Sequence, residues 1–97
     1  MSSGWMERRI SLKNKHGLHM RPAQKIVETA SRFQSEIRAG KDQVDFSAKS
    51  ILDMIEFAAY MVKDAGGDEF TFRAQGPDAK EALDALETLV NDRFGLE

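Results

Sequence analysis

Between residues 6 and 13 polar and apolar side chains alternate: Arg9, Ser11 and Lys13 fall on one side of an extended chain, Ile10 and Leu12 on the other. A period of two marks a half-buried strand. Asn14 to Gly17 reads as a loop. From Met20 the period lengthens. Ala23, Ile26, Val27, Ala30 and Phe33 recur at helical spacing, with Gln24, Lys25, Glu28 and Arg32 opposite, and the pattern predicts a helix ending near Phe33 or Gln34. Residues 35–39 and 43–47 read as two short strands carrying Ile37, then Val44 and Phe46, with turn chemistry at Gly40-Lys41-Asp42 between them. Helical spacing resumes from residue 50 to about 64, where Ala65-Gly66-Gly67-Asp68 offers glycines for a left-handed cap. Alternation returns from residue 69 to 75 through Phe70, Phe72 and Ala74, and Gly76-Pro77 breaks it. Asp78-Ala79-Lys80-Glu81 resembles a capping box opening a last helix. Its apolar stripe is Ala79, Ala82, Leu83, Leu86, Leu89 and Val90, and Gly95 is its natural stop.

The order is β-α-β-β-α-β-α, an α+β class. Three amphipathic helices and four short strands suggest two layers, with all helices on one face of a largely antiparallel sheet. The same order would fit a ferredoxin-like domain that binds a small molecule or RNA. No repeat, linker or low-complexity tract divides the chain. Its 97 residues are expected to form a single domain, 1–97, with residues 1–5 a flexible N-terminal extension.

Composition narrows the function. The net charge of -2 argues against a nucleic-acid partner held through a broad basic face. The absence of cysteine leaves no disulfide framework and no thiolate metal site. No apolar run approaches the ~20 residues of a membrane span, so no membrane insertion is expected. The start, Met1-Ser2-Ser3-Gly4-Trp5-Met6, lacks the charged and apolar regions of a signal peptide. A cytoplasmic location is the expectation.

The chemistry concentrates in Lys15-His16-Gly17-Leu18-His19-Met20-Arg21-Pro22-Ala23. A proline is tolerated in a helix's first turn, where backbone N–H groups lack intrahelical partners anyway. His19 is therefore expected at or beside a helix N-terminus, where free N–H groups and the positive dipole end favour an anion. Arg21 adds donors suited to phosphate. A neutral imidazole is a competent nucleophile, and the dipole disfavours its protonation. The stretch reads as a histidine that accepts and holds a phosphoryl group. His16 and His19 as metal ligands are disfavoured, because neither cysteine nor a close acid completes a set. No metal and no cofactor is expected.

These residues resemble the phosphorylation-site motif of the HPr family, the histidine-containing phosphocarriers of the phosphoenolpyruvate-dependent sugar phosphotransferase system. Lys49-Ser50-Ile51-Leu52 is similar to the family's second signature. The resemblance implies an open-faced β-sandwich. It implies that His19 takes phosphate on Nδ1 from charged Enzyme I and hands it to an EIIA-type acceptor, so the chain is not an enzyme in its own right. Arg21 matches the family's active-site arginine, and Gly17 the glycine that lets the loop turn tightly. Pro22 would fix the start of the helix, and His16, Gly17, Met20 and Pro22 make up the phosphate-supporting surround. Ser50 would be a regulatory site for an HPr kinase/phosphorylase, besides serving as a helix cap with Asp53 nearby. Ile51, Leu52 and Ile55 match an exposed patch on which partners dock, and the protein would be a monomer. That helix carries two apolar stripes, Met54, Phe57 and Met61 on one side and Ile51, Ile55 and Ala59 with Val62 on the other, and the alternative is that both are core.

Two departures from the family stand out. Asp53 and Glu56 bring acids to the docking helix where the family more often has glycine, basic or neutral residues. The segment from Ser50 to the fourth strand is longer by roughly a helical turn, with Tyr60-Met61-Val62-Lys63 extending the helix. Two alternatives stay open. One is a regulatory carrier uncoupled from sugar import; the other is a non-catalytic ferredoxin-like module, whose RNA-binding form would display stacking aromatics on a basic sheet face.

Overall fold

In the computed structural model, residues 4–13, 20–61 and 69–96 are described. The elements follow the order read from the pattern: β1 (Met6–Ser11), α1 (Met20–Ala30), β2 (Glu36–Lys41), β3 (Val44–Ser47), α2 (Ile51–Tyr60), β4 (Glu69–Gln75) and α3 (Ala79–Asn91), with a 3-10 turn at Arg93–Gly95. The four strands form one antiparallel sheet in the order β1-β4-β2-β3. Alternate side chains of β4, Phe70, Phe72 and Ala74, are buried beneath the helices together with Ile10, Ile37 and Ala39. The helices contribute Ala23, Ile26, Met54, Phe57, Leu83 and Leu86 to the same core. The strand aromatics are thus spent on packing, which leaves no stacking platform at Phe70 or Phe72 for bases. No helix among the described residues is long and apolar enough to cross a membrane.

β1 ends at Ser11 rather than Lys13, and two further differences from the reading of the pattern, at the end of α1 and at the β2–β3 turn, involve partners outside the segment. α1 stops at Ala30 rather than near Phe33. The chain tightens into i-to-i−3 bonds, Arg32 N to Thr29 O at 3.2 Å and Phe33 N to Ala30 O at 3.2 Å. The next amides are then taken by Asp78, whose carboxylate accepts from Gln34 N at 3.0 Å, Ser35 N at 2.9 Å and the buried Ser35 hydroxyl at 2.6 Å. Asp78 is therefore no capping box for α3: its carbonyl accepts from Ala82 N, but its side chain makes no cap bond there. Gly76, at φ 146, lets the two segments close, since a Cβ there would lie 2.5 Å from Ser35 Oγ.

The β2–β3 turn is also shifted. Gly40 and Lys41 belong to β2, paired with Asp45 and Val44, and the loop is Asp42-Gln43 with Asp42 at φ 58. A two-residue loop suits the twist of paired strands, and aspartate tolerates the left-handed region better than most residues. The tip is tied to α2 by Tyr60, whose hydroxyl donates to Asp42 Oδ2 at 2.8 Å. α2 runs to Tyr60 with Met61 still helical in φ and ψ; Val62, Lys63 and the glycine stop at Gly66-Gly67 lie outside the described residues. The expected N-terminal extension is anchored at its end, where the Arg73 guanidinium lies 4.7 Å above the Trp5 ring.

Candidate functional site

His16, Gly17 and His19 lie outside the described residues, which resume at Met20. α1 begins there, at the residue after His19 in the chain. Pro22 and Ala23 are buried while Met20 is 56 % exposed, so the first turn is seated on the core by its proline and open toward solvent on the other side. That turn carries no acid to compensate the dipole. Arg21 is exposed and makes no hydrogen bond or ion pair among the described residues. It lines a shallow groove with Gln24, Lys25, Glu28 and Leu96. A helix start, whose first amides lack intrahelical partners, beside a guanidinium with no partner among the described residues can hold an anion with several acceptor oxygens.

The second motif builds the turn into α2. Ser50 is extended, at φ -107 and ψ 120, and its Oγ accepts from Asp53 N at 3.2 Å while its carbonyl accepts from Met54 N at 2.9 Å. Ser50 is therefore a helix N-cap, as its sequence context indicates. Asp53 does not reach back to the cap residue's own amide. It passes Ser50 and accepts from Ser47 N at 2.9 Å, while Ser47 Oγ accepts from Lys49 N at 3.3 Å. Lys49 anchors the loop from the other side, its ammonium donating to Phe33 O at 2.6 Å just past the end of α1. The pattern gave no sign of this lysine's partner, because the carbonyl it finds is set by where α1 stops.

α2 divides cleanly. Met54, Phe57, Ala58 and Met61 face the core, with the Phe57 ring 5.8 Å from Phe46 and 5.2 Å from Phe70. Ile51 is 38 % exposed, Leu52 71 % exposed, Ile55 half-buried and Ala59 exposed. The second apolar stripe is thus an outer surface rather than a second core face. Of its two acids, Asp53 is half-buried and committed to Ser47; Glu56 is exposed and has no partner among the described residues.

Elsewhere charge is committed to the scaffold. Arg8 on β1 donates to Asp84 at 2.9 Å and Glu87 at 2.7 Å on α3, and these two carboxylates, Glu87 foremost, raise its pKa. Asp84 titrates below its ordinary range because Lys80, then Arg8, donate to it. Asp78 is lowered too, first by the Ser35 hydroxyl and then by the Gln34 amide.

A family model described as "PTS HPr component phosphorylation site" matches residues 6–92. Phosphocarrier protein HPr of Treponema pallidum is 38 % identical over 85 residues, 88 % of this chain and 91 % of that one. Phosphocarrier protein NPr of Shewanella violacea is 36 % identical over 89 residues, 92 % of each chain. The crystal structure of HPr-C-His from Thermoanaerobacter tengcongensis superposes with a TM-score of 0.81 at 39 % identity, covering 95 % of this chain and 98 % of that one. The chain belongs to the HPr family of phosphocarriers of the phosphotransferase system.

Proposed function

We propose that residues 1–97 act as one phosphocarrier domain, not an enzyme in its own right, in which His19 is loaded and unloaded. Charged Enzyme I is the donor and an EIIA-type domain the acceptor. The Nδ1 lone pair of His19 forms the P–N bond as the donor's bond to phosphorus breaks. Onward transfer breaks that P–N bond and leaves the imidazole as it began. Little covalent chemistry is asked of the surround, so positioning and charge dominate. Arg21 neutralises the phosphoryl oxygens in transit, the first-turn amides of α1 donate to them, and Gly17 lets the loop turn tightly so that its backbone can approach the group. His16 and Met20 flank it, and Pro22 holds the helix start.

The observation that carries this reading is the start of α1. It opens at the residue after His19, on a buried proline, beside an exposed arginine with no partner among the described residues. Ile51, Leu52 and Ile55 form the docking contact in this reading, with Asp53 and Glu56 at its edge. Ser50 is a second site, modified by an HPr kinase/phosphorylase. A phosphate there lies at a helix N-terminus, where the dipole tolerates it, and adds negative charge to the docking face. The carrier works as a monomer in the cytoplasm. Its similarity to Crh, the catabolite repression HPr of Bacillus subtilis, and the exposed acid on α2 support a second reading in which the phosphate feeds a regulatory branch instead of sugar import.

The test is incubation with phosphoenolpyruvate and Enzyme I, followed by intact-mass analysis and acid treatment. One acid-labile phosphate, absent in His19→Ala, is expected; equal labelling of His19→Ala would overturn the assignment. For Ser50, an acid-stable phosphate made from ATP and the kinase, absent in Ser50→Ala, is the expected product.

A further inference from the structure

Glu56 stands out from Asp53 on the same helix and from Asp42 on the β2–β3 turn bonded to that helix's end. Asp53 is tied to the Ser47 amide, and Asp42 to the Tyr60 hydroxyl. On α3, Asp84 and Glu87 hold Arg8. Glu56 lies on the outside of α2 with no hydrogen bond or ion pair among the described residues. It follows Leu52 by four residues, so the two are neighbours on one ridge of the helix, and Leu52 is the most exposed large apolar residue of the chain's described part. An uncommitted charge flush against an exposed apolar contact is placed to act on whatever buries that contact. It contributes little to the fold, so its effect falls on association.

We propose that Glu56 is a specificity-determining residue, selecting a phosphoryl donor that presents a lysine or arginine beside the apolar contact on α2. The proposal rests on the docking role read for Ile51, Leu52 and Ile55. A donor with an acid at that point loses on-rate through like-charge repulsion; one with a cation gains it. Because the pair lies at the rim of the contact, the effect is chiefly on encounter and is screened by salt. Arg21 and Lys25, exposed on α1, ask for the opposite charge from a partner that reaches them. A matching donor surface therefore carries both signs, with its cation over α2.

The experiment measures single-turnover phosphoryl transfer from phosphorylated Enzyme I of the source organism. The acceptors are the parent, Glu56→Gln, Glu56→Lys and Leu52→Ala, at low ionic strength and at roughly 1 M salt, where the screening length falls to about 3 Å. Melting temperatures are expected to match among all four. Glu56→Lys is expected to slow the second-order rate about tenfold at low salt and Glu56→Gln about threefold, with both differences collapsing at high salt. Leu52→Ala is expected to slow transfer at both salts. If Leu52→Ala is slow while Glu56→Lys equals or exceeds the parent, the charge proposal is overturned and the docking helix stands. If Leu52→Ala transfers like the parent, the docking role itself fails.

Discussion

Leu52 and Phe57 are five residues apart on α2, and truncating each to alanine should produce opposite outcomes. Phe57 is fully buried, with Phe46 and Phe70 rings at 5.8 and 5.2 Å. Its loss removes a large buried side chain and two ring contacts. Phe-to-Ala changes in such sites cost about 3–5 kcal/mol. For a domain of this size that corresponds to a fall in melting temperature of roughly 12–40 °C. Leu52 is 71 % exposed, so folding scarcely engages it. Alanine is also a slightly better helix former, and the change in stability should stay within about 0.5 kcal/mol. Docking reverses the ranking. Full burial of a leucine is worth about 1.5–3 kcal/mol, and the exposed share left for a partner to cover amounts to about 1–2 kcal/mol. Removing it should lower kcat/KM for phosphoryl transfer roughly five- to thirtyfold. The assay pairs thermal melts with transfer kinetics from Enzyme I, run well below the melting point of Phe57→Ala. Phe57→Ala should melt early yet transfer near the parent rate while folded; Leu52→Ala should melt normally and transfer slowly. A Leu52→Ala protein that melts and transfers like the parent would refute the reasoning, because it would mean that the outer stripe of α2 touches nothing during transfer.

The caps and the committed charges set further expectations. Ser50→Ala removes the acceptor for Asp53 N and should cost about 0.5–2 kcal/mol in urea unfolding, whereas Ser50→Gly should cost only a few tenths; equal costs would contradict the cap. Asp78 has a pKa lowered below its ordinary 3.8, so the folded state holds it deprotonated where the unfolded state begins to bind a proton. Its contribution is therefore complete above that value and disappears as pH falls through the folded one. Asp78→Asn should lower the urea midpoint near neutral pH and flatten its decline on acidification; curves that stay parallel to the parent would oppose this. Arg21→Ala should slow phosphoryl transfer by roughly a hundredfold without moving the melting temperature, since the residue has no partner among the described residues, and Arg21→Lys should recover part of the rate.

What could be read in advance was whatever a segment encodes by itself. β4 occupies the residues its alternation marks, α3 buries the stripe its spacing marks apart from half-buried Leu89, and Ser50 caps α2 as a serine before an apolar run should. The misreadings share one physical cause: a partner far along the chain, met by a side chain or by strand pairing. Asp78 looks like a local cap, yet it satisfies amides 43 and 44 residues away, and doing so also trims α1. Lys49 enters the sequence reading only as part of the second motif, yet its ammonium ends on a carbonyl 16 residues back. Gly40 looks like a turn residue, but the register of β2 against β4, where Gly40 lies opposite Thr71, carries it into the strand. Local propensity cannot see these, because each is decided by which segments the sheet order brings together.

Those long-range bonds also bear on the site. A carrier that is loaded by one protein and unloaded by another needs a surface whose shape is fixed but whose charges remain available. The two demands compete, since every charged group used to fix the shape is lost to recognition. This chain separates them by position. Carboxylates and cations that join separate elements are consumed internally: Asp78 before α3 by the turn after α1, Lys49 and Asp53 around the start of α2, Arg8 on β1 by α3. Charges on the outward faces of α1 and α2, Arg21 and Glu56 among them, are consumed by nothing among the described residues. Internal bonds of this kind hold the turn into α2 without using its outer face, so the charge of that face can vary at little cost to folding. Acids at Asp53 and Glu56 then have different meanings despite lying one turn apart. Exchange at position 53 should register mainly in stability, through the Ser47 amide, and exchange at position 56 mainly in the rate at which the donor finds the carrier.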